Sequence, residues 1–284
     1  MTPYPFAEAV PPSWEGAQPS STGEPIFVRR WQPAGEARGA VVIAHGLFEH
    51  SGRYLHVAGR LVNQGYQVWA LDHYGHGRSA GPRGALRHDD QYLDDLGLII
   101  AQATQADGQK PALLGHSMGG AIAARYAVRH PQALAGLALS APALGVHASP
   151  PVVFFGRLAS HLFPSATMPS GLRGPATHNP AWEAWKQADP LQHNRLTLRL
   201  ARFIVEAGAE ARAKAGNLRI PVLLLLAGED TYVDNRGAHD FFARLPAGVG
   251  ALREYAGFYH ELFNEVERDR PLADLEAWLA ALWR

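Results

Sequence analysis

Pro111-Ala112-Leu113-Leu114-Gly115-His116-Ser117-Met118-Gly119-Gly120 carries an apolar run straight into a G-x-S-x-G turn. A strand that reverses into a helix at one residue forces that residue into a strained backbone conformation. Its neighbours two positions away must then lack side chains for strand and helix to pass each other. Gly115 and Gly119 meet that need, with Gly120 widening the margin. The alanine-rich stretch Met118 to His130 has the character of a helix whose positive end faces the space above Ser117. In this context the pattern marks Ser117 as a candidate nucleophile, where an isolated G-x-S-x-G is only a glycine-rich turn.

The rhythm on either side of this element sets the fold class. Phe27–Trp31, Ala40–Ala44, Val68–Leu71, Gly136–Ser140, Val222–Leu226 and Leu252–Tyr255 read as strands, while Tyr54–Asn63 and Tyr92–Ala103 have helical spacing. Strands alternating with helices predict an α/β protein with a mostly parallel sheet of about eight strands and helices on both faces. Ligands of such sheets sit beyond the carboxyl ends of the strands. His45, Asp72, Ser117 and Asp230 all fall just after strand ends.

The interval 144–218 is too long for a simple crossover and carries apolar helices of its own, so it reads as a helical cap inserted into a core formed by 27–143 and 219–284. Residues 1–26 read as an N-terminal extension. Ser149-Pro150 resembles a helix start, Phe154, Phe155, Leu158 and Leu162 share one helical face, and Pro164 ends the segment. Three readings of that face stay open: packing on its own neighbours, a pocket wall for an acyl chain formed by Phe154, Phe155 and Leu158, or a surface that dips into lipid. Trp182 and Trp185, after Asn179-Pro180, are assigned to packing.

A serine hydroxyl needs an imidazole to take its proton, and the imidazole needs a carboxylate to fix its tautomer. In doubly wound sheets with this turn the chain order is serine, acid, histidine. Leu223–Asp230 is a strand running into a turn, which puts Asp230 at the acid position, with Asp234 and Glu229 as rivals. Gly257-Phe258-Tyr259-His260 follows the last strand and nominates His260 among the 14 histidines. The backbone N–H groups of Leu47 and Met118 occupy the positions expected to hold a developing oxyanion.

Composition excludes other classes. The 284 residues contain 26 Lys plus Arg against 26 Asp plus Glu, so no charge excess or block calls for nucleic acid. With no cysteine there is no disulfide or thiolate chemistry. The pairs His45/His50 and His73/His76 find no third ligand at convincing spacing, so neither metal nor cofactor is expected. Met1 to Pro25 lacks the basic start and apolar stretch of a secretion signal, and no segment approaches the ~18 apolar residues of a membrane span. The expectation is a cytoplasmic protein, peripheral at membranes if the cap touches lipid. Its oligomeric state is not legible.

Four motifs in order, His45-Gly46-Leu47-Phe48-Glu49-His50-Ser51-Gly52-Arg53-Tyr54, Asp72-His73-Tyr74-Gly75-His76-Gly77-Arg78-Ser79, Gly115–Gly120 and Tyr259-His260, resemble those of monoacylglycerol lipases and related lysophospholipase-like serine hydrolases. The likeness runs from about residue 27 to the C-terminus, includes Asp189-Pro190-Leu191, and weakens elsewhere in the cap. It implies the α/β-hydrolase fold, with Ser117, Asp230 and His260 as catalytic residues and the Leu47 and Met118 amides as the oxyanion hole. It also implies that Glu49 and Arg53 line or brace the pocket for the alcohol part of an ester, an internal ion pair steadying the oxyanion loop being the equal alternative. Relatives that favour monoacylglycerol can carry a histidine three positions after the catalytic one, where this chain has Phe263. The resulting expectation is a cofactor-free ester hydrolase acting on single-chain lipid esters. A short-chain carboxylesterase, a peptidase or carbon–carbon bond hydrolase using the same groups, and a non-catalytic binding protein remain the alternatives.

Overall fold

The structure, a computed structural model, describes residues 3–283. Its main sheet contains β1 (Trp14–Pro19), β2 (Pro25–Trp31), β3 (Ala40–Ala44), β4 (Gln67–Leu71), β5 (Ala112–His116), β6 (Gly136–Ser140), β9 (Val222–Ala227) and β10 (Gly250–Tyr255). Their spatial order is β1-β2-β4-β3-β5-β6-β9-β10. From β4 to β10 every pairing is parallel, while β2 and β1 add an antiparallel edge.

Strands buried on both faces must be apolar at every position, and β9, Val-Leu-Leu-Leu-Leu-Ala, is buried throughout. Alternate residues feed two cores. Val41, Ile43, Leu114, Leu223 and Leu225 pack under α1 (Leu55–Asn63) and α8 (Asp269–Leu282). Val42, Leu113, Leu137, Leu139 and Leu224 pack under α2 (Gln91–Asp107), α3 (Met118–Arg129) and α7 (Asn235–Ala243).

Between β6 and β9 the chain makes a long excursion containing α4 (Pro150–Leu162), β7 (Thr167–Met168), α5 (Pro180–Gln187), β8 (Leu196–Thr197) and α6 (Leu198–Lys214). β7 and β8 pair with each other as a separate ribbon. Helix α6 lies along α3, so α3 is enclosed by the sheet on one side and α6 on the other, and Met118 to Val128 are all buried. Glu210 of α6 is bound by Arg129 and Arg125 of α3 and by its own Lys214, and these cations hold its carboxyl well below the ordinary carboxylate range.

The N-terminal segment departs from the expectation of a plain extension, because Trp14–Pro19 forms β1, in register with β2 from Trp14↔Arg30 to Pro19↔Pro25. No residue of β1 is buried, and it contains Gly16 and Pro19. It is held by backbone hydrogen bonds at a sheet edge, which leave no apolar alternation to read.

A Cβ on Gly119 would strike the carbonyl oxygens of Ala44 and His45 at the end of β3. Gly119→Ala is therefore expected to destabilise the fold by about 3 kcal/mol, as overpacking against backbone that cannot move aside. Urea unfolding measures this, and a midpoint within error of wild type would refute it.

Candidate active site

The functional side chains assemble at the carboxyl ends of the strands. Ser117 joins β5 directly to α3 with φ 54° and ψ −120°, a left-handed conformation disfavoured for a residue with a side chain. The Ser117 N–H donates to the Ser140 carbonyl (3.0 Å) and its own carbonyl accepts from Ala121 (3.1 Å) and Ala143 (2.9 Å), which pins the turn. A Cβ on Gly115 would strike the Gly119 carbonyl oxygen, so only glycine permits this close return of the chain.

His260 Nε2 lies 2.8 Å from Ser117 Oγ, and His260 Nδ1 lies 2.8 Å from Asp230 Oδ2. A ring nitrogen facing a carboxylate is the donor, so Nδ1 carries the hydrogen and Nε2 is free to accept the serine proton. The Asp230 carboxylate is fully buried. Burial opposes its charge, but the His260 ring, the hydrogen bond to it and the N–H groups of Val233 (3.1 Å) and Tyr232 (2.8 Å) hold its carboxyl below the usual carboxylate range. Neither rival acid reaches the ring. Asp234 caps α7 through the Arg236 N–H (3.0 Å) and pairs with the Arg236 guanidinium, and Glu229 is exposed.

The Gly46–Leu47 loop passes beside Ser117, with a Cβ on Gly46 falling 3.2 Å from Ser117 Cβ. Phe48 closes the loop at φ 67°. Met118 opens α3, so its N–H is one of the helix-end amides without an intrahelical acceptor. Leu47, Ser117 and Met118 together line one cavity.

Glu49 and Arg53 do not pair with each other among the described residues, which corrects the ion-pair alternative. Glu49 Oε2 accepts from the Gly46 N–H (3.0 Å) and the Tyr54 hydroxyl (2.9 Å), bracing the loop. Arg53 Nη2 donates to Gln192 Oε1 (2.7 Å) and lies 3.5 Å from Asp189 Oδ2. The same Asp189 oxygen takes His50 Nε2 at 2.8 Å, so the family-like Asp189 fastens the excursion to the core.

Two cavities meet at Ser117. One, of about 230 Å³, is largely apolar and includes Leu47, Met118, Val146, Met168, Leu172 and Ile204. The other, of about 210 Å³, is the more polar of the two and includes Glu49, Arg53, Lys186, Gln192, Asn194 and Glu261. Ser117, Leu47 and Tyr232 border both. Gln192, Asn194 and Lys186 were missed from the sequence because they come from irregular chain and a short helix in the excursion, where no periodic pattern marks a lining residue.

The structure does not bring Phe154, Phe155 and Leu158 to these cavities. They are 65%, 65% and 54% exposed, and Phe154 borders only an outer groove beside α7. Helix α4 turns Val153 and Gly156 inward instead, toward a third cavity of about 310 Å³ against α6. Of the three readings left open for this stripe, the pocket wall is the one the exposure contradicts, since periodicity groups residues without saying what each face meets.

The pair His45/His50 has structural partners, and His50 Nε2 faces Asp189. His45 Nδ1 lies 2.7 Å from the Gly46 carbonyl and His45 Nε2 accepts from the His73 N–H (2.9 Å). Among the described residues, no group of three or more His, Asp or Glu side chains is placed to hold a metal ion.

A parallel sheet crossed by helices, with serine, histidine and aspartate in line beyond its carboxyl edge, defines an α/β-hydrolase. The chain belongs to the serine aminopeptidase S33 family, Hydrolase_4, whose pattern matches residues 35–267, and it is a serine hydrolase. It is 34% identical over 255 residues to a monoacylglycerol lipase of Mycolicibacterium smegmatis, covering 88% of this chain and 91% of that one. It is 31% identical over 256 residues to a human monoglyceride lipase, covering 87% and 83%. The crystal structure of a Paleococcus ferrophilus monoacylglycerol lipase superposes with a TM-score of 0.83 at 30% identity, covering 90% of this chain and 99% of that one.

Two measurements follow. Ser117→Ala is expected to lower turnover of a p-nitrophenyl ester by about a millionfold, and turnover near wild type would remove Ser117 from the reaction. Burial pushes the His73 ring down to about 4, and neither ring nitrogen meets a partner among the described residues. The folded pKa lies below the unfolded one, so the unfolded chain takes up more protons between the two. Stability is then fully present above about pH 6.5 and lost as pH falls toward 4. Tm should fall across that window and fall less in His73→Phe. Equal slopes in the two proteins would contradict the assignment.

Proposed function

We propose that this chain hydrolyses monoacylglycerols and similar single-chain lipid esters through an acyl-enzyme. The observation that carries this reading is the meeting of an apolar and a polar cavity at Ser117 Oγ. An ester places its acyl chain on one side of the attacked carbonyl and its alcohol on the other. A polyol alcohol needs hydrogen-bonding groups, and an alkyl chain needs none.

In this reading Ser117 attacks the carbonyl while His260 Nε2 takes its proton, and buried Asp230 keeps the ring oriented and stabilises its charged form. The Leu47 and Met118 amides receive the developing oxyanion. His260 returns the proton to the departing alcohol, then activates a water that frees Ser117. The alcohol side presents Arg53, Gln192, Asn194 and Lys186, which supply polar contacts in place of the histidine absent at Phe263. Phe263 itself is buried among Tyr54, His56 and Val57. An aminopeptidase would need a free carboxylate for the α-ammonium group of its substrate, whereas Glu49 and Glu261 are both engaged by protein donors.

The segment 144–218 serves as the cap over the site. Its helix α4 exposes Val152, Phe154, Phe155, Leu158 and Leu162, with Phe163 following. Single exposed apolar residues are ordinary, but a contiguous set of this size marks a contact surface. This face would rest on lipid aggregates that hold the substrate, as a peripheral contact made by a cytoplasmic protein. No helix among the described residues is long and apolar enough to cross a membrane.

Rates measured across monoacylglycerols of increasing chain length should rise to medium or long chains, and a maximum at the shortest acyl group would defeat the lipid-ester reading. Phe154→Ser with Phe155→Ser should cut hydrolysis of vesicle-borne substrate about tenfold, through lost apolar burial of ~1–3 kcal/mol, and leave a monomeric short ester unaffected. Equal effects on both substrates would rule out the surface role.

A further inference from the structure

The polar cavity is backed by an aromatic latch from the chain's own N-terminal arm. Tyr4 and Phe6 reach across α1 to α5, far from their sequence neighbours. The Tyr4 hydroxyl lies between the Arg53 carbonyl oxygen (2.9 Å) and His56 Nδ1 (2.7 Å). His56 Nε2 faces the Phe263 carbonyl at 2.9 Å and must donate there, which leaves Nδ1 as an acceptor that shares the single Tyr4 hydroxyl hydrogen with the Arg53 carbonyl. Phe6, 5% exposed, stacks on Trp182 with ring centroids 5.2 Å apart and planes at 11°. The Arg268 guanidinium covers Phe6 at 4.1 Å and pairs with Glu8 at 3.0 Å. The arm lies flush on α1, since a Cβ on Gly59 would strike the Glu8 carbonyl oxygen.

What the arm grips is the wall of the polar cavity. Trp182 is fully buried, and its Nε1–H donates to Glu261 Oε2. One turn along α5, the Lys186 ammonium lies 3.3 Å from Glu261 Oε1 and 2.8 Å from Glu183. Glu261 follows His260 directly, and its N–H donates to the Ala176 carbonyl of the excursion (2.8 Å). Arg53, whose carbonyl faces Tyr4, is the residue whose guanidinium reaches Gln192. Arg53, Lys186, Gln192 and Glu261 all line the polar cavity and none lines the apolar one.

We infer that Tyr4 and Phe6 are positioning residues for the alcohol side of the site, setting affinity for polyol esters by holding Arg53 and α5 in register with the His260 loop. Neither residue touches substrate, and both act through the groups that do. The inference rests on the proposed assignment of the polar cavity to the alcohol.

The test compares a monoacylglycerol with the p-nitrophenyl ester of the same acid, so that the acyl chain is constant and only the alcohol differs. For Phe6→Ala, KM for the glycerol ester should rise about fivefold, the scale of one lost aromatic contact. The aryl ester should keep kcat and KM within about twofold. Phe6→Leu should recover at least half of the effect. Tyr4→Phe keeps the ring and removes only the hydroxyl, so it tests the same link even if Phe6→Ala fails to fold, and it should raise the same KM by about threefold. Equal losses on both substrates, or no change on either, would overturn the inference. Wild-type protein that hydrolyses the aryl ester but not the glycerol ester would overturn the alcohol assignment itself, and this inference with it.

Discussion

The site depends on a backbone contact that no side chain makes. Helix α3 starts within van der Waals reach of the carbonyls that end β3, and it can do so only because Gly119 has no Cβ. That approach brings the loop after β3 against the serine that ends β5, although the two segments are about 70 residues apart in sequence. The left-handed turn at Ser117 costs on the order of 1–3 kcal/mol. It persists because strand, helix and the Ser140 and Ala143 hydrogen bonds over-determine it. The strain is thus a consequence of joining a buried strand to a buried helix without a loop, and the exposed hydroxyl is its product.

The excursion between β6 and β9 is tied to this frame by charge more than by apolar burial, except where α6 covers α3. His50 meets Asp189, Arg125 and Arg129 meet Glu210, and Lys186 meets Glu261. The last pair is buried. Burial opposes the charge on Glu261, yet Lys186, Arg53 and the Trp182 N–H hold its carboxyl below the ordinary range. Breaking such a pair strands a charge in a dry place, so it specifies one placement of α5 whatever it adds to net stability. The His50–Asp189 and Lys186–Glu261 ties land beside residues that line the polar cavity. The apolar cavity is bordered by α6, which is tied to α3 through Glu210.

The core was legible because it obeys local rules. A doubly covered parallel strand must be apolar at every position, so β3, β5, β6 and β9 stand out, and the order of Ser117, Asp230 and His260 along the chain follows from the order of the strands that carry them. Asp230 was separable from Asp234 only in space, since both follow the same strand and the choice turns on which carboxylate is spent capping α7. Edge strand β1 carries no apolar pattern, and the Tyr4–Phe6 arm is held by five aromatic contacts with His56, Trp182 and Trp185, made across distant segments. Arg53 shows the intermediate case, flagged by resemblance yet with a partner, Gln192, that no pattern announced.

Helix α4 marks the limit of sequence reasoning and has a physical consequence of its own. Of its 13 residues only Ser160 is buried, and that hydroxyl turns back to the Arg157 carbonyl (2.6 Å). Its inner face borders a cavity and its outer face solvent, so neither side is fixed by close-packed atoms. An element with so few buried contacts belongs to the low end of local stability within a fold. Helix α4 lines neither of the two cavities that meet at Ser117, so it can shift at little cost without moving a wall of either.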